Sequence, residues 1–193
     1  MFSERTDEEI IILYKEGNKE VFKELIDKYT TPLFNFTARL TDKDNAQDIV
    51  QDVFIKIWKK LNSFDTSKSS FKTWIFTVTK NSIIDFWRKN KIPGGQKKIL
   101  SFSDIENSNY DFPFSENIKD TEILPDEALS KLEDTEFLSK LINNLPENYK
   151  TVLILHYQEE MTFTEIGEIL NKPLNTVKSC HQRAIMNLRK MII

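Results

Sequence analysis

The chain is poor in residues that interrupt helices, with four glycines and six prolines among 193 residues. That scarcity leaves little material for the tight turns of a sheet-rich fold, and no stretch alternates apolar and polar residues in the manner of a strand. A single cysteine, Cys180, cannot close an internal disulfide. With only His156 and His181 to accompany it, no metal cluster is expected. No glycine-rich phosphate loop is present either, so the sequence argues against an enzyme, and no cofactor is expected. No apolar run approaches the length of a membrane span. The opening residues, MFSERTDEEI, are acidic where a secretion signal would be basic, so the protein is expected to stay in the cytoplasm.

What the chain does have is helical periodicity. Thr6 and Glu9 form a capping box, and Gly17 ends the helix that it starts. A second helical stretch, residues 18–40, places Val21, Phe22, Leu25, Ile26 and Tyr29 at core spacing, with Pro32 expected to break or kink it. From Asp44 to Leu61, the residues Ala46, Ile49, Val50, Val53, Phe54, Ile57, Trp58 and Leu61 form one broad apolar face, and Asp48, Gln51, Asp52, Lys56 and Lys59 take the rest. A core helix explains that face, and a partner-binding helix is compatible with it. After a polar loop, 62–70, comes FKTWIFTVTKNSIIDFWRKNK. Here Phe71, Trp74, Ile75 and Val78 can face a core, while Phe76 and Trp87 fall among Lys72, Lys80, Asn81, Arg88, Lys89 and Lys91. Aromatics exposed among cations would suit a single DNA strand, with bases stacking and phosphates paired. The ordinary alternative is that the aromatics are core residues.

The net charge of −3 hides an uneven distribution. Residues 101–127 hold eight carboxylates against Lys119, a local charge of −7, which leaves the remainder of the chain at +4. That segment also contains Pro113, Pro125 and several Ser and Asn residues without apolar period, so residues 93–127 read as an acidic linker, whether a solvated tether or a functional element.

Beyond it, TFTEIGEILNKPLNTVKSCHQRAIMNLRK reads as a short helix, a turn and a longer helix. Thr162 and Glu165 make a capping box, Phe163, Ile166 and Leu170 give an apolar face, and residues 171–174 break the helix. In the second helix Val177, His181, Ala184 and Leu188 are read as the inward face, with Thr176, Ser179, Cys180 and Arg183 outward. Such a helix can enter a DNA major groove, although an ordinary helical hairpin has the same pattern. From residue 171 to the end there are five cations and no carboxylate, as phosphate binding requires. The expected fold is all-α: two small helical domains, residues 1–92 and 128–193, joined by the acidic linker.

Three stretches in order carry a resemblance: AQDIVQDVFIKIWKKL, FKTWIFTVTKNSIIDFWRK, and LPENYKTVLILHYQEEMTFTEIGEILNKPLNTVKS followed by Arg183 and Ala184. The chain resembles a bacterial RNA polymerase sigma factor of the extracytoplasmic-function group of the sigma-70 family. The resemblance implies that residues 1–92 bind core RNA polymerase and recognise and melt the minus-ten element, and that residues 128–193 read the minus-thirty-five element. By the same carry-over, Asp48, Gln51, Asp52 and Phe54 would meet the clamp coiled coil of polymerase. Trp74, Lys80, Asn81, Asp85 and Arg88 would lie near the separating strands, and the 62–70 loop would help to choose the flipped base. Thr176, Lys178, Ser179, Gln182 and Arg183 would face the upstream element, with Arg183 the best donor for guanine or phosphate. The linker would lie in the RNA path of polymerase, and an anti-sigma factor would be a further partner. An operator-binding helix-turn-helix dimer is the rival reading, but it has no use for a strand-holding stretch at 71–91.

This sequence departs from the family pattern at three positions. Cys180 and His181 stand where Arg and Leu usually follow Val-Lys-Ser, and Thr77 stands where a basic residue is common. The promoter consensus therefore does not carry over.

Overall fold

The computed structural model describes residues 5–90 and 141–192. The linker reading, and with it residues 93–127, lies outside the described residues. Among those described, every regular element is helical. They form two compact units, one of residues 5–90 with 164–172 and the other of 141–163 with 173–192.

In the first unit α1 (Asp7–Lys15) starts from the expected capping box: the Glu9 amide donates to Thr6 Oγ1 at 3.3 Å and the Thr6 amide to Glu9 Oε2 at 2.8 Å. Gly17 follows with φ +111°, a left-handed conformation that a side chain would strain. A short 3-10 turn (Lys19–Val21) leads into α2 (Phe22–Leu40), which runs through Pro32 without a break. Proline removes one amide donor and one hydrogen bond. The helix survives because Leu25, Tyr29, Leu33, Phe36 and Leu40, on its packed stripe, are all buried.

α3 (Lys43–Lys60) is capped by Asp42, whose carboxylate accepts from the Asn45 amide at 2.9 Å and is thereby held below its usual pKa. α4 (Phe71–Lys89) is capped by Ser70. α2, α3 and α4 pack mutually around Leu25, Leu33, Phe36, Val53, Ile57, Ile75, Phe76 and Ile83, all without solvent exposure. α1 is tied to α2 through Asp7, which accepts from Lys28 at 2.6 Å and from the Tyr29 hydroxyl.

In the second unit α5 (Glu147–Leu153) passes into a π-helical turn (Ile154–Gln158). Leu141, Leu145 and Leu153 pack against Ala184, Ile185 and Leu188 of α7 (Leu174–Ile192), flanked by Ile142 and Tyr149. Between them in sequence lies α6 (Phe163–Leu170), which from Thr164 onward belongs to the first unit and is closed by a Schellman turn. The Lys172 amide donates to the Gly167 carbonyl at 2.9 Å, and the Asn171 amide to the Glu168 carbonyl at 3.2 Å. Asn171 takes the left-handed position at φ 54°. Helix, left-handed turn and helix thus follow one another as the sequence indicates.

Candidate nucleic-acid and polymerase interface

α4 separates its side chains differently from the reading made on composition. Phe76 is fully buried with its ring 5.5 Å from that of Phe36, and Trp87 is 4% exposed, so neither aromatic is available to a DNA strand. The reason is geometric: positions 76, 80, 83 and 87 fall on one helical stripe, and that stripe faces the core. Lys80 shares it. Its side chain is buried and its ammonium donates to the Ile169 carbonyl at 2.7 Å, while burial pushes its pKa down. Lys80, expected near the separating strands, is thus buried in this arrangement with its ammonium already bonded to an acceptor.

Asn81 is exposed on the opposite side. One turn further, Arg88 and Asp85 form an exposed ion pair at 3.1 Å, which adds little to stability. Trp74 is half-buried, and one of its faces is covered by Phe64 from the preceding loop, with centroids 4.5 Å apart and planes at 21°. Of the five residues expected near the minus-ten element, α4 thus presents Asn81, Asp85 and Arg88 at its surface, Trp74 in part, and Lys80 not at all.

α3 presents a second surface. Asp48, Gln51 and Asp52 are exposed, and Phe54 is half-buried with its edge toward Phe22. Two residues join them that were not assigned to the interface: Ile55 is 51% exposed, and Trp58, read as part of the core face, is 43% exposed. Trp58 keeps its inner edge against Tyr14 and Phe22, 5.3 and 5.0 Å away. The signal for Ile55 was present in the sequence as an isoleucine one turn beyond Gln51 and Asp52 on the polar stripe. Carboxylates and large exposed apolar groups thus lie side by side on this face of α3.

On α7 the buried stripe is Val177, Cys180, Ala184 and Leu188. Cys180 therefore points inward, contrary to the sequence reading. Its Sγ lies 3.6 Å from the Asn148 carbonyl, and burial pushes the thiol up to about 12. His181 instead sits at the flank of the buried stripe, half-buried in a ring cluster with His156, Tyr157 and Phe163. Its Nε2 shares a hydrogen bond with the Tyr157 hydroxyl at 3.0 Å, and the His156 Nδ1–H donates to the Met161 carbonyl at 2.9 Å. Desolvation, with a smaller contribution from His156, lowers the His181 pKa to about 4. The ring is thus neutral at physiological pH and brings no charge to the helix surface. Thr176, Lys178, Ser179, Gln182 and Arg183 are all half-buried around the remaining circumference.

Residues 25–92 match the family Sigma-70 region 2, and residues 141–190 match Sigma-70, region 4. Over 181 residues the chain is 33% identical to the ECF RNA polymerase sigma factor SigW of Bacillus subtilis, covering 92% of each protein. The chain belongs to the ECF sigma factors. This sigma factor is also 28% identical to the ECF RNA polymerase sigma-E factor of Haemophilus influenzae, across 100% of its own length and 96% of that protein. In fold it resembles CnrH, solved in complex with the cytosolic domain of CnrY, at a TM-score of 0.64, 17% identity and 96% coverage of both chains. It also resembles the sigma factor RpoE of Bartonella quintana, solved with the anti-sigma factor NepR, at a TM-score of 0.59, 24% identity, 89% coverage of this chain and 96% of that one.

As a sigma factor the protein is a transcription initiation factor that gives RNA polymerase its promoter choice. α1 lies outside both matched regions. Among the described residues, no helix is long and apolar enough to cross a membrane, and no group of three or more His, Cys, Asp or Glu side chains is placed to hold a metal ion.

Proposed function

We propose that this sigma factor works as a non-catalytic cytoplasmic subunit of the initiation complex, with residues 1–92 docking on core polymerase and holding the melted minus-ten strand, and residues 128–193 reading the minus-thirty-five element. The observation that carries this division is the presence on one chain of region 2, with its carboxylate and apolar face on α3, and region 4, with its polar face on α7. Asp48, Gln51, Asp52, Ile55 and Trp58 form the polymerase face, with Phe54 bracing it from below. Asn81, Arg88 and the free part of Trp74 form the strand face, which Asp85 orients through Arg88. Thr176, Lys178, Ser179, Gln182 and Arg183 form the groove-reading face. An anti-sigma factor holds the protein inactive. An operator-binding dimer would leave the α3 face without a partner.

The test is transcription by purified core polymerase on a genomic fragment library, with and without the protein. Discrete starts should appear only with both. Equal selectivity with core alone would refute the proposed function. In the same assay Arg183→Ala should weaken upstream recognition by about 1–3 kcal/mol if its contact to guanine is bidentate, with core affinity unchanged. A matching loss of core affinity would place Arg183 in the fold or on polymerase instead.

Strand holding is best probed at Asn81, because Lys80→Ala would also remove the bond to Ile169. Asn81→Ala should leave circular dichroism unchanged and reduce the permanganate reactivity of thymines near the start site. Its effect should shrink on a template mismatched open at the minus-ten region. Undiminished opening with normal core affinity would move the strand-holding role to the 62–70 loop.

A further inference from the structure

The loop between α3 and α4 is held from a part of the chain that neither matched region includes. Its tip closes on itself: Asp65 Oδ1 accepts from the Ser67 amide at 3.0 Å and from the Ser67 hydroxyl at 2.7 Å, and the Lys68 amide donates to the Asp65 carbonyl at 3.2 Å. Its base is fixed by the Phe64 ring, which stacks on Trp74 and meets the edge of Phe71 at 5.9 Å. The Phe64 amide also donates to the Leu61 carbonyl at 3.2 Å.

Two lysines from the amino-terminal segment add to these holds, one at a backbone carbonyl and one at a side chain. Lys15 Nζ donates to the Phe64 carbonyl at 2.6 Å. That carbonyl belongs to an extended residue (φ −67°, ψ 133°) where the chain leaves a 3-10 turn (Leu61–Ser63). Lys19 Nζ donates to Asn62 Oδ1 at 3.1 Å and to the Tyr14 carbonyl at 3.0 Å, and sits 3.6 Å from the centroid of the Tyr14 ring. The ring and the two oxygens fix the ammonium from three directions, so it acts as a pin rather than a mobile surface charge. Two cations on successive parts of one short loop leave it little freedom to translate.

We propose that Lys15 and Lys19 are positioning residues for minus-ten base selection, and that α1 and the turn after it thereby take part in promoter choice. This rests on the reading that the 62–70 loop selects the flipped base. A site that discriminates bases by hydrogen bonds does so through the placement of its donors and acceptors, and loosening the loop lets a wrong base find partners nearly as well as the right one. The lysines do not need to touch DNA for this.

The test compares initiation by the holoenzyme on a cognate promoter with initiation on promoters carrying each single-base change in the minus-ten element. Replacing both lysines (Lys15→Met with Lys19→Met) keeps the aliphatic stems and removes the charged donors. The ratio of cognate to substituted promoter should fall by roughly threefold to tenfold, the scale of one or two lost hydrogen bonds. Discrimination at the minus-thirty-five element and core affinity should stay unchanged, and Lys15→Arg should restore most of the ratio, since a guanidinium can also donate to a carbonyl. A uniform fall on all promoters would overturn the proposal, because it would show lysines that only support the fold. The loop variants Thr66→Ala and Lys68→Ala separate the two levels. If they change base preference and the lysine variants do not, the pinning role fails while the loop reading stands. If they too leave preference unchanged, the loop reading fails and the proposal with it.

Discussion

Phe76→Ala should cost the first unit about 3–5 kcal/mol, the usual penalty for deleting a buried phenyl ring, and should leave region 2 partly unfolded at physiological temperature. Phe76 has no solvent exposure and its ring meets Phe36 edge-on, with Leu33 and Ile83 equally buried. A rigid three-helix core cannot close over that volume, so a cavity term adds to the lost transfer energy. Chemical denaturation followed by circular dichroism measures the effect, and Phe76→Leu should recover more than half of it. A loss below about 1 kcal/mol, combined with a specific defect in promoter opening, would instead make Phe76 a strand contact.

The second large effect is expected at Cys180→Arg, which introduces the side chain that the family resemblance leads one to expect at that position. On an outward-facing residue this change would add a phosphate or guanine donor and strengthen DNA binding. Cys180 is fully buried beside the Asn148 carbonyl, so the much larger guanidinium side chain would have to be desolvated in a space filled by a thiol or would push α7 away from α5. Either route costs several kcal/mol and should abolish the folded second unit. Cys180→Ala, which removes only the sulfur, should cost about 1 kcal/mol and keep upstream binding. Denaturation of both variants, with binding to a minus-thirty-five duplex, checks this. A stable Cys180→Arg protein with tighter DNA affinity would show that the side chain points outward.

These two residues also show how far the sequence could be read. Caps were plain: the Thr6 and Glu9 box stands in the structure because both partners are three residues apart and need nothing from the rest of the chain. The core of α3 was plain for the same reason, since Ala46, Ile49, Val50, Val53 and Ile57 follow one period without competition. In α4 the mixture of lysines and aromatics pointed to a strand site, but the stripe through 76, 80, 83 and 87 was already countable and would have placed Phe76 and Trp87 inside.

Cys180 was harder. Positions 180 and 181 both lie within a turn of Val177, and only three-dimensional packing decides that the small thiol goes under α5 while the imidazole goes to the flank with Tyr157 and Phe163. The lysine pins on the loop were beyond reach, because Lys15 meets Phe64 across 49 residues and Lys19 meets Asn62 across 43, with no periodic signal linking them.

The three tryptophans of this chain sit at three depths: Trp58 is 43% exposed on the α3 face, Trp74 is half-covered by Phe64, and Trp87 is 4% exposed in the core. Each indole thus carries a different optical environment, and under the proposed function each reports a different event. Emission from Trp58 should shift to the blue when polymerase takes water from the α3 face. Trp74 should be quenched when a nucleobase slides onto its open side, and Trp87 should respond only when the bundle itself comes apart. Variants retaining one tryptophan at a time would therefore resolve docking, strand capture and unfolding as separate fluorescence signals, without any added label.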